Sequence, residues 1–191
     1  MLTQEEALHL FREAQVLQEG HFRLTSGRHS DKYMQCARLF QNPRYAEPLC
    51  KSLAEQFAAE GIGVVVGPAL GAVQMAYEVS RHLGCRNVFA ERVDGVFALR
   101  RGFSIAPGER ALVVEDAVTT GGSVREVIEL VRSVGGEAAG VGCLVDRSGG
   151  KVDFGVPLKA ALTVDVGSWE PQDCPLCGQG LPIVKPGSRT N

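Results

Sequence analysis

The sequence predicts an α/β protein with a twisted, mainly parallel sheet carrying helices on both faces, and three observations predict it. Short, uninterrupted apolar runs recur along the chain, notably Ile62 to Val66, Ala111 to Val114 and Ala138 to Val145, the pattern of strands buried on both faces. Segments with helical apolar spacing separate these runs, and alternation of the two is the signature of layered α/β architecture. At 191 residues, 45% of them hydrophobic, the chain is most simply one domain, residues 1–191, with a sizeable core.

The first element is a helix. Thr3 and Glu6 have capping-box spacing, and Ala7, Leu10, Phe11, Ala14 and Leu17 repeat at helical intervals, so the helix is expected to run to about Gly20. A hairpin-like stretch follows: Phe22 and Leu24 alternate with polar residues, Ser26-Gly27 marks a turn, and Tyr33 to Cys36 can return as a strand. Asn42-Pro43 is an N-cap with proline at the first helical position, opening a helix whose buried face is Tyr45, Leu49, Leu53 and Phe57 and whose end is expected at Gly61. The strand 62–66 then leads into GPALGA at 67–72, where Gly67 and Gly71 let the backbone approach a ligand. Val73, Ala76, Tyr77 and Leu83 predict another helix, and Asn87 to Glu91 a strand. Asp94-Gly95 is a tight-turn signal for a hairpin carrying Arg92, Arg100 and Arg101.

The most informative stretch is RALVVEDAVTTGGSVRE, residues 110–126. Its apolar run 111–114 is read as a strand ended by Glu115 and Asp116. Ala117 and Val118 lead to Thr119, Thr120, Gly121, Gly122 and Ser123, and then to a helix with Val124, Val127, Ile128 and Val131 on one face. Ser123 and Glu126 have capping-box spacing. Backbone N–H groups, hydroxyls and a helix N-terminus together suit a phosphate monoester. Carboxylates repel phosphate and only accept hydrogen bonds, so Glu115 and Asp116 suit the vicinal hydroxyls of a sugar. Together they describe a site for a phosphoribosyl group. Beyond this helix come the strand 138–145, ending at Asp146-Arg147, and a last strand at 160–166, with Trp169 packing nearby.

The run VVEDAVTTGGS closely resembles the phosphoribosyl-diphosphate signature of type I phosphoribosyltransferases. The stretch from Phe22 to Gly27, with Ser30 and Tyr33, is similar to the F-x-L-x-S-G-x-x-S element of the orotate phosphoribosyltransferase family, and Asp146-Arg147 matches its D-R context. The resemblance covers residues 22 to about 166. It implies the type I phosphoribosyltransferase fold, a small N-terminal hood made of about residues 1–40 and the C-terminal tail, and synthesis of orotidine 5′-monophosphate, a pyrimidine-biosynthetic step. Glu115, Asp116 and 117–123 would bind the ribose 5-phosphate part, and Gly67, Pro68, Ala69 and Gly71 the diphosphate. Arg147, Thr119, Ser26 and Tyr33 would bind orotate. Magnesium (Mg2+) would come with the phosphoribosyl diphosphate and not from protein ligands, and a homodimer with shared active sites is implied. Relatives often carry Lys where this chain has Thr25 and Gly71, and a Lys and a His in the mobile loop, where this chain has neither between Arg92 and Arg110. Arg92, Arg100 and Arg101 are therefore the candidates for stabilising departing diphosphate, alongside the carboxylates.

Two other functions fit part of this pattern: transfer to another base, as in purine salvage, and a non-catalytic sensor of phosphoribosyl diphosphate. A net charge of −2 offers no electrostatic case for a nucleic-acid or membrane partner. The charged N-terminus is not a signal peptide and no apolar run is long enough to span a bilayer, so the cytoplasm is expected. Six cysteines, scattered except for Cys174 and Cys177, then fit reduced thiols. The CPLCG at 174–178 is half a zinc site, but neither Cys nor His follows Cys177, and His82, Cys85 and Cys143 form no second pair; a thiol pair without metal is the expectation.

Overall fold

The computed structural model describes residues 1–24, 26–164 and 166–186. Helix α1 (Gln4–Glu13) starts at the foreseen capping box, Thr3 accepting from Glu6 N–H and Glu6 from Thr3 N–H. It stops sooner than Gly20. Gln15 adopts a φ of 53°, and Leu17 is already paired with Met34 in a hairpin of β1 (Leu17–Arg23) and β2 (His29–Met34), so cross-strand pairing overrides the helical spacing. Helix α2 (Pro43–Glu55) begins at the Asn42 cap, whose Oδ1 accepts from Arg44 N–H at 3.2 Å, and ends before the expected Gly61.

The main sheet comprises β3 (Val64–Pro68), β4 (Arg86–Val93), β5 (Val96–Leu99), β6 (Arg110–Val118), β7 (Glu137–Asp146) and β8 (Leu158–Thr163), in the order β5-β4-β3-β6-β7-β8. Every pairing is parallel except β4 with β5, the hairpin turned at Asp94-Gly95. Helices α3 (Val73–Leu83) and α4 (Gly122–Ser133) complete the crossovers. Alternation along the strands divides the core. Val65, Leu112, Val114 and Leu144 pack with α1, α2 and α3, whereas Val64, Val66, Val113 and Cys143 pack with Val124, Val127, Ile128 and Val131 of α4. Tyr77, one of the residues whose spacing predicts α3, is 60% exposed.

β6 lies mid-sheet between β3 and β7, and its carboxyl end, with those of its neighbours, frames the crevice where open α/β sheets bind ligands. The β1–β2 hairpin does not join this sheet. The tail clasps it instead: His29 and Trp169 exchange two backbone hydrogen bonds, Arg23 N–H donates to Val184 O, and Val184 N–H donates to His21 O. The short helix α5 (Pro175–Gly178) lies in that tail.

Candidate active site

The strand β6 runs on through Val118, so Glu115 and Asp116 sit inside it and do not end it; both still pair with or flank β7 at Cys143 to Asp146. Glu115 Oε1 accepts from the Asp116 N–H at 3.2 Å, and the two carboxyls lie close enough to share a hydrogen bond, so the adjacent pair acts as one unit. After Val118 the chain turns through Thr119 and Thr120 into α4, and residues 117–124 with Glu115 and Glu126 line a cavity of about 290 Å³. Gly121 is required: its φ is 76°, and a Cβ there would stand 2.6 Å from Phe154. It is also the N-cap residue, so the capping box expected from Ser123 and Glu126 does not form. With no side-chain cap among the described residues, the first-turn N–H groups of α4 stay open to an anion.

Burial, and secondarily the neighbouring Asp116, pushes the Glu115 carboxyl up to about 8, and burial raises Asp116 as well. No Lys or Arg pairs with either among the described residues. The pair therefore holds a proton at neutral pH. A raised carboxyl destabilises the fold once the unfolded chain can ionise it: stability is unaffected below about pH 4.5, falls as pH rises towards about 8, and is level beyond. Glu115→Gln removes that loss. Thermal melts of the ligand-free protein from pH 5 to 9 should show the variant gaining on the parent through this window, by about 2–6 °C at the top after discounting for solvent access; a constant difference would contradict the assignment.

Opposite the carboxylates, the 67–72 loop folds back so closely that a Cβ on Gly67 would lie 2.6 Å from Ala72 O. A Cβ on Gly71 would lie 3.4 Å from Asp116 Oδ2, which places loop and acid pair face to face. The Ala69–Leu70 peptide is cis. Of the four residues foreseen as diphosphate ligands, Gly67 lies within β3 opposite Phe89, Pro68 has no N–H and the Ala69 N–H is spent on Ala90 O at 2.8 Å, while the Gly71 N–H, and that of Leu70, which was not foreseen, make no backbone hydrogen bond among the described residues. Gly71 and Leu70 are thus the donors left for an anion.

A second cavity, of about 420 Å³, adjoins the cradle and is lined by Arg23, Ser26, Arg28, Tyr33, Thr119, Thr120, Arg147 and Ser168, among others. It unites Ser26, Tyr33, Thr119 and Arg147, four residues drawn from the hairpin, the β6 end and the β7 end. Thr25 lies outside the described residues. Arg147 is aimed by its neighbours: its N–H donates to Val118 O at 2.8 Å, and buried Asp146 accepts from Ser148 N–H, Ser148 Oγ–H and Gly150 N–H at 2.8, 2.6 and 2.8 Å. Its Nε is buried with no hydrogen-bond partner among the described residues. An unsatisfied guanidinium donor beside a phosphoribosyl cradle calls for a planar anion.

Comparison with known proteins agrees. The phosphoribosyl transferase domain matches residues 38–156. The chain is 59% identical to the orotate phosphoribosyltransferase of Pelotomaculum thermopropionicum over 188 residues, 98% of this chain and 99% of that protein. It belongs to the orotate phosphoribosyltransferase family. The enzyme of the same name from Caldanaerobacter subterraneus is 56% identical over the same shares of the two chains. The crystal structure of the Mycobacterium tuberculosis orotate phosphoribosyltransferase in complex with inorganic phosphate superposes with a TM-score of 0.68 at 27% identity, covering 84% of this chain and 95% of that one.

Against that family background the arginine hairpin is unexpectedly self-satisfied. Arg92 donates to both Glu126 carboxylate oxygens, at 2.7 and 3.0 Å, and stacks 4.0 Å from the Phe97 ring. Arg101 holds both Glu91 oxygens at 2.9 Å. Arg100 is exposed and its side chain has no hydrogen-bond or ion-pair partner among the described residues. None of the three lines either cavity. Glu126 does line the cradle, and Arg92 neutralises a carboxylate that would otherwise repel phosphate.

Sequence reasoning passed over two contributors. Arg28 bonds Ser168 Oγ and Ser168 O at 2.9 and 2.6 Å and pairs with Glu170, tying the hairpin to the tail at the rim of the base cavity. Asp146 holds the turn that presents Arg147. Arg28 carried only a polar-loop signal, whereas the Asp-x-Ser spacing after a strand is an Asx-turn signature that could have been read.

Proposed function

We propose that this protein joins orotate to the ribose of 5-phosphoribosyl 1-diphosphate, releasing diphosphate and orotidine 5′-monophosphate. The observation that carries the reading is the orphaned Arg147 Nε in a cavity contiguous with the Thr119–Ser123 cradle. Orotate is a planar ring with a carboxylate, which a guanidinium can grip bidentately; purine bases present only neutral acceptors and no carboxylate for a charge-assisted pair, and a mere sensor of the sugar diphosphate would have no use for a base pocket. Full-length similarity to named orotate phosphoribosyltransferases supports the same conclusion.

The 5-phosphate then lies on the α4 N-terminus between Thr119 and Ser123, and Glu115 and Asp116 accept hydrogen bonds from the ribose hydroxyls. Asp116 also faces the positive charge that develops at the anomeric carbon as the leaving group departs. Diphosphate occupies the Gly71 side, opposite Asp116. An acid pair with no Lys or Arg partner among the described residues fits a ligand that arrives with its own cation, and magnesium bound to the diphosphate and ribose hydroxyls would supply positive charge there. Of the loop arginines, Arg100 is the cation free to meet departing diphosphate, with Arg92 and Arg101 holding the hairpin.

We read residues 1–191 as a single catalytic unit acting in the cytoplasm as a homodimer. No helix among the described residues is long and apolar enough to cross a membrane. An apolar groove of about 400 Å³ lined by Phe40, Val73, Tyr77 and Phe89 lies beside exposed Tyr77, a surface suited to a second copy. The decisive assay follows consumption of phosphoribosyl diphosphate with and without magnesium, offering orotate, uracil, hypoxanthine and adenine in turn. Turnover is expected with orotate and magnesium alone; binding without turnover, or turnover with a purine, defeats the reading. Sedimentation equilibrium on the same sample should give twice the chain mass.

A further inference from the structure

The CPLCG segment has no part in the chemistry above, and no second metal-ligand pair accompanies it in sequence. The fold supplies one. The β1–β2 hairpin sets His21 and His29 side by side, and the tail lays α5 against them. His21 Nε2 lies 3.1 Å from His29 Nδ1, 3.5 Å from Cys174 Sγ and 3.7 Å from Cys177 Sγ, and Cys177 Sγ is 3.3 Å from His29 Nδ1. All four atoms fall within 4.8 Å of one another.

Those separations have a simple source. Bonds of about 2.0–2.1 Å to nitrogen and about 2.3 Å to sulfur, arranged tetrahedrally, put ligand atoms about 3.3–3.8 Å apart. The three nitrogen–sulfur contacts, 3.3, 3.5 and 3.7 Å, fall in that range, and the nitrogen–nitrogen contact of 3.1 Å lies just below it. Tautomer control points the same way. The His21 Nδ1–H donates to Leu181 O at 2.9 Å, which leaves the Nε2 lone pair facing the cluster, the usual arrangement behind a metal-bound imidazole. His21, His29 and Cys174 are buried, and Cys177 is exposed, giving an ion a way in. A metal-free cluster would instead pack two ring nitrogens against thiols, which are weak donors.

We propose that His21, His29, Cys174 and Cys177 form a closed, structural zinc site that rivets the hairpin to the tail. Two thiolates and two imidazoles in tetrahedral array select zinc over harder cations, and four protein ligands leave no open position for catalysis. The four residues line neither cavity, but Arg23 and Arg28, beside His21 and His29 in the hairpin, line the base cavity. The ion thereby braces the hood without touching substrate. The proposal stands apart from the orotate activity, because metal content is read without substrate.

The test is elemental analysis of full-length protein purified without chelators from zinc-supplemented cells, together with the visible spectrum after cobalt exchange. One zinc per chain is expected, with tetrahedral cobalt bands and sulfur-to-cobalt charge transfer. Cys177→Ser, the exposed and least invasive change, should lose the zinc, and Cys85→Ser should keep it. Wild-type stoichiometry alone decides the matter if Cys177→Ser does not fold. Metal-free protein that takes up no zinc under reducing conditions overturns the proposal. So does a Cys174–Cys177 disulfide in its place, or zinc retained by Cys177→Ser.

Discussion

Arg147→Ala is expected to lower kcat/KM for orotate by about 10²–10³-fold while the KM for phosphoribosyl diphosphate changes by less than about threefold. The size follows from the surroundings. Burial pulls the Arg147 guanidinium below its ordinary pKa, so it already bears a desolvation cost, and Nε has no partner among the described residues to repay it. The incoming carboxylate would do so, through a charge-assisted pair with a largely buried guanidinium. Arg147→Lys should recover little, because an ammonium cannot reproduce the fork. Steady-state kinetics varying each substrate in turn checks both halves of the expectation, and equal losses for the two substrates would mean that Arg147 supports the cradle and does not read the base.

For Asp116→Asn the expected loss falls on kcat, by about 10²-fold, with both KM values nearly unchanged. Asparagine keeps the shape and a hydrogen-bonding oxygen but removes the charge. Glu115, raised to about 8, is held protonated near neutrality, and Asp116 stands opposite Gly71, the side on which the proposed function puts the departing diphosphate. A charge that matters only as the anomeric carbon becomes cationic lowers the barrier without tightening the ground state. If kcat stays within about threefold of the parent, the carboxylate is a ribose ligand alone.

How far these assignments were legible before folding depends on how local they are. Residues 110–123 could be read directly, because strand, acid pair and Gly-rich turn are contiguous and each has its own conformational signature. The Ser123–Glu126 spacing misled for an equally local reason: Gly121 took the cap in a left-handed conformation, and Glu126 found Arg92, which lies on another strand. The hairpin arginines show the same limit. Their number and charge were visible, but their pairing with Glu126 and Glu91 depends on how β4 and β5 lie against α4.

The sequence by itself determined the layered α/β architecture and marked the Gly-rich turn after β6 and Arg147 at the end of β7 as candidate ligand-binding residues, since each rests on residue types at short spacing. Tertiary structure alone decided that Ser26, Tyr33, Thr119 and Arg147 share one cavity, that Arg100 remains unpaired among the described residues, and that His21 and His29 complete the half-site of Cys174 and Cys177. The physical reason is that ligand atoms must converge within a few ångströms. Between residues 153 apart, such as His21 and Cys174, convergence is set by strand order and by the tail's hydrogen bonds to the hairpin, neither of which leaves a periodic trace in the chain.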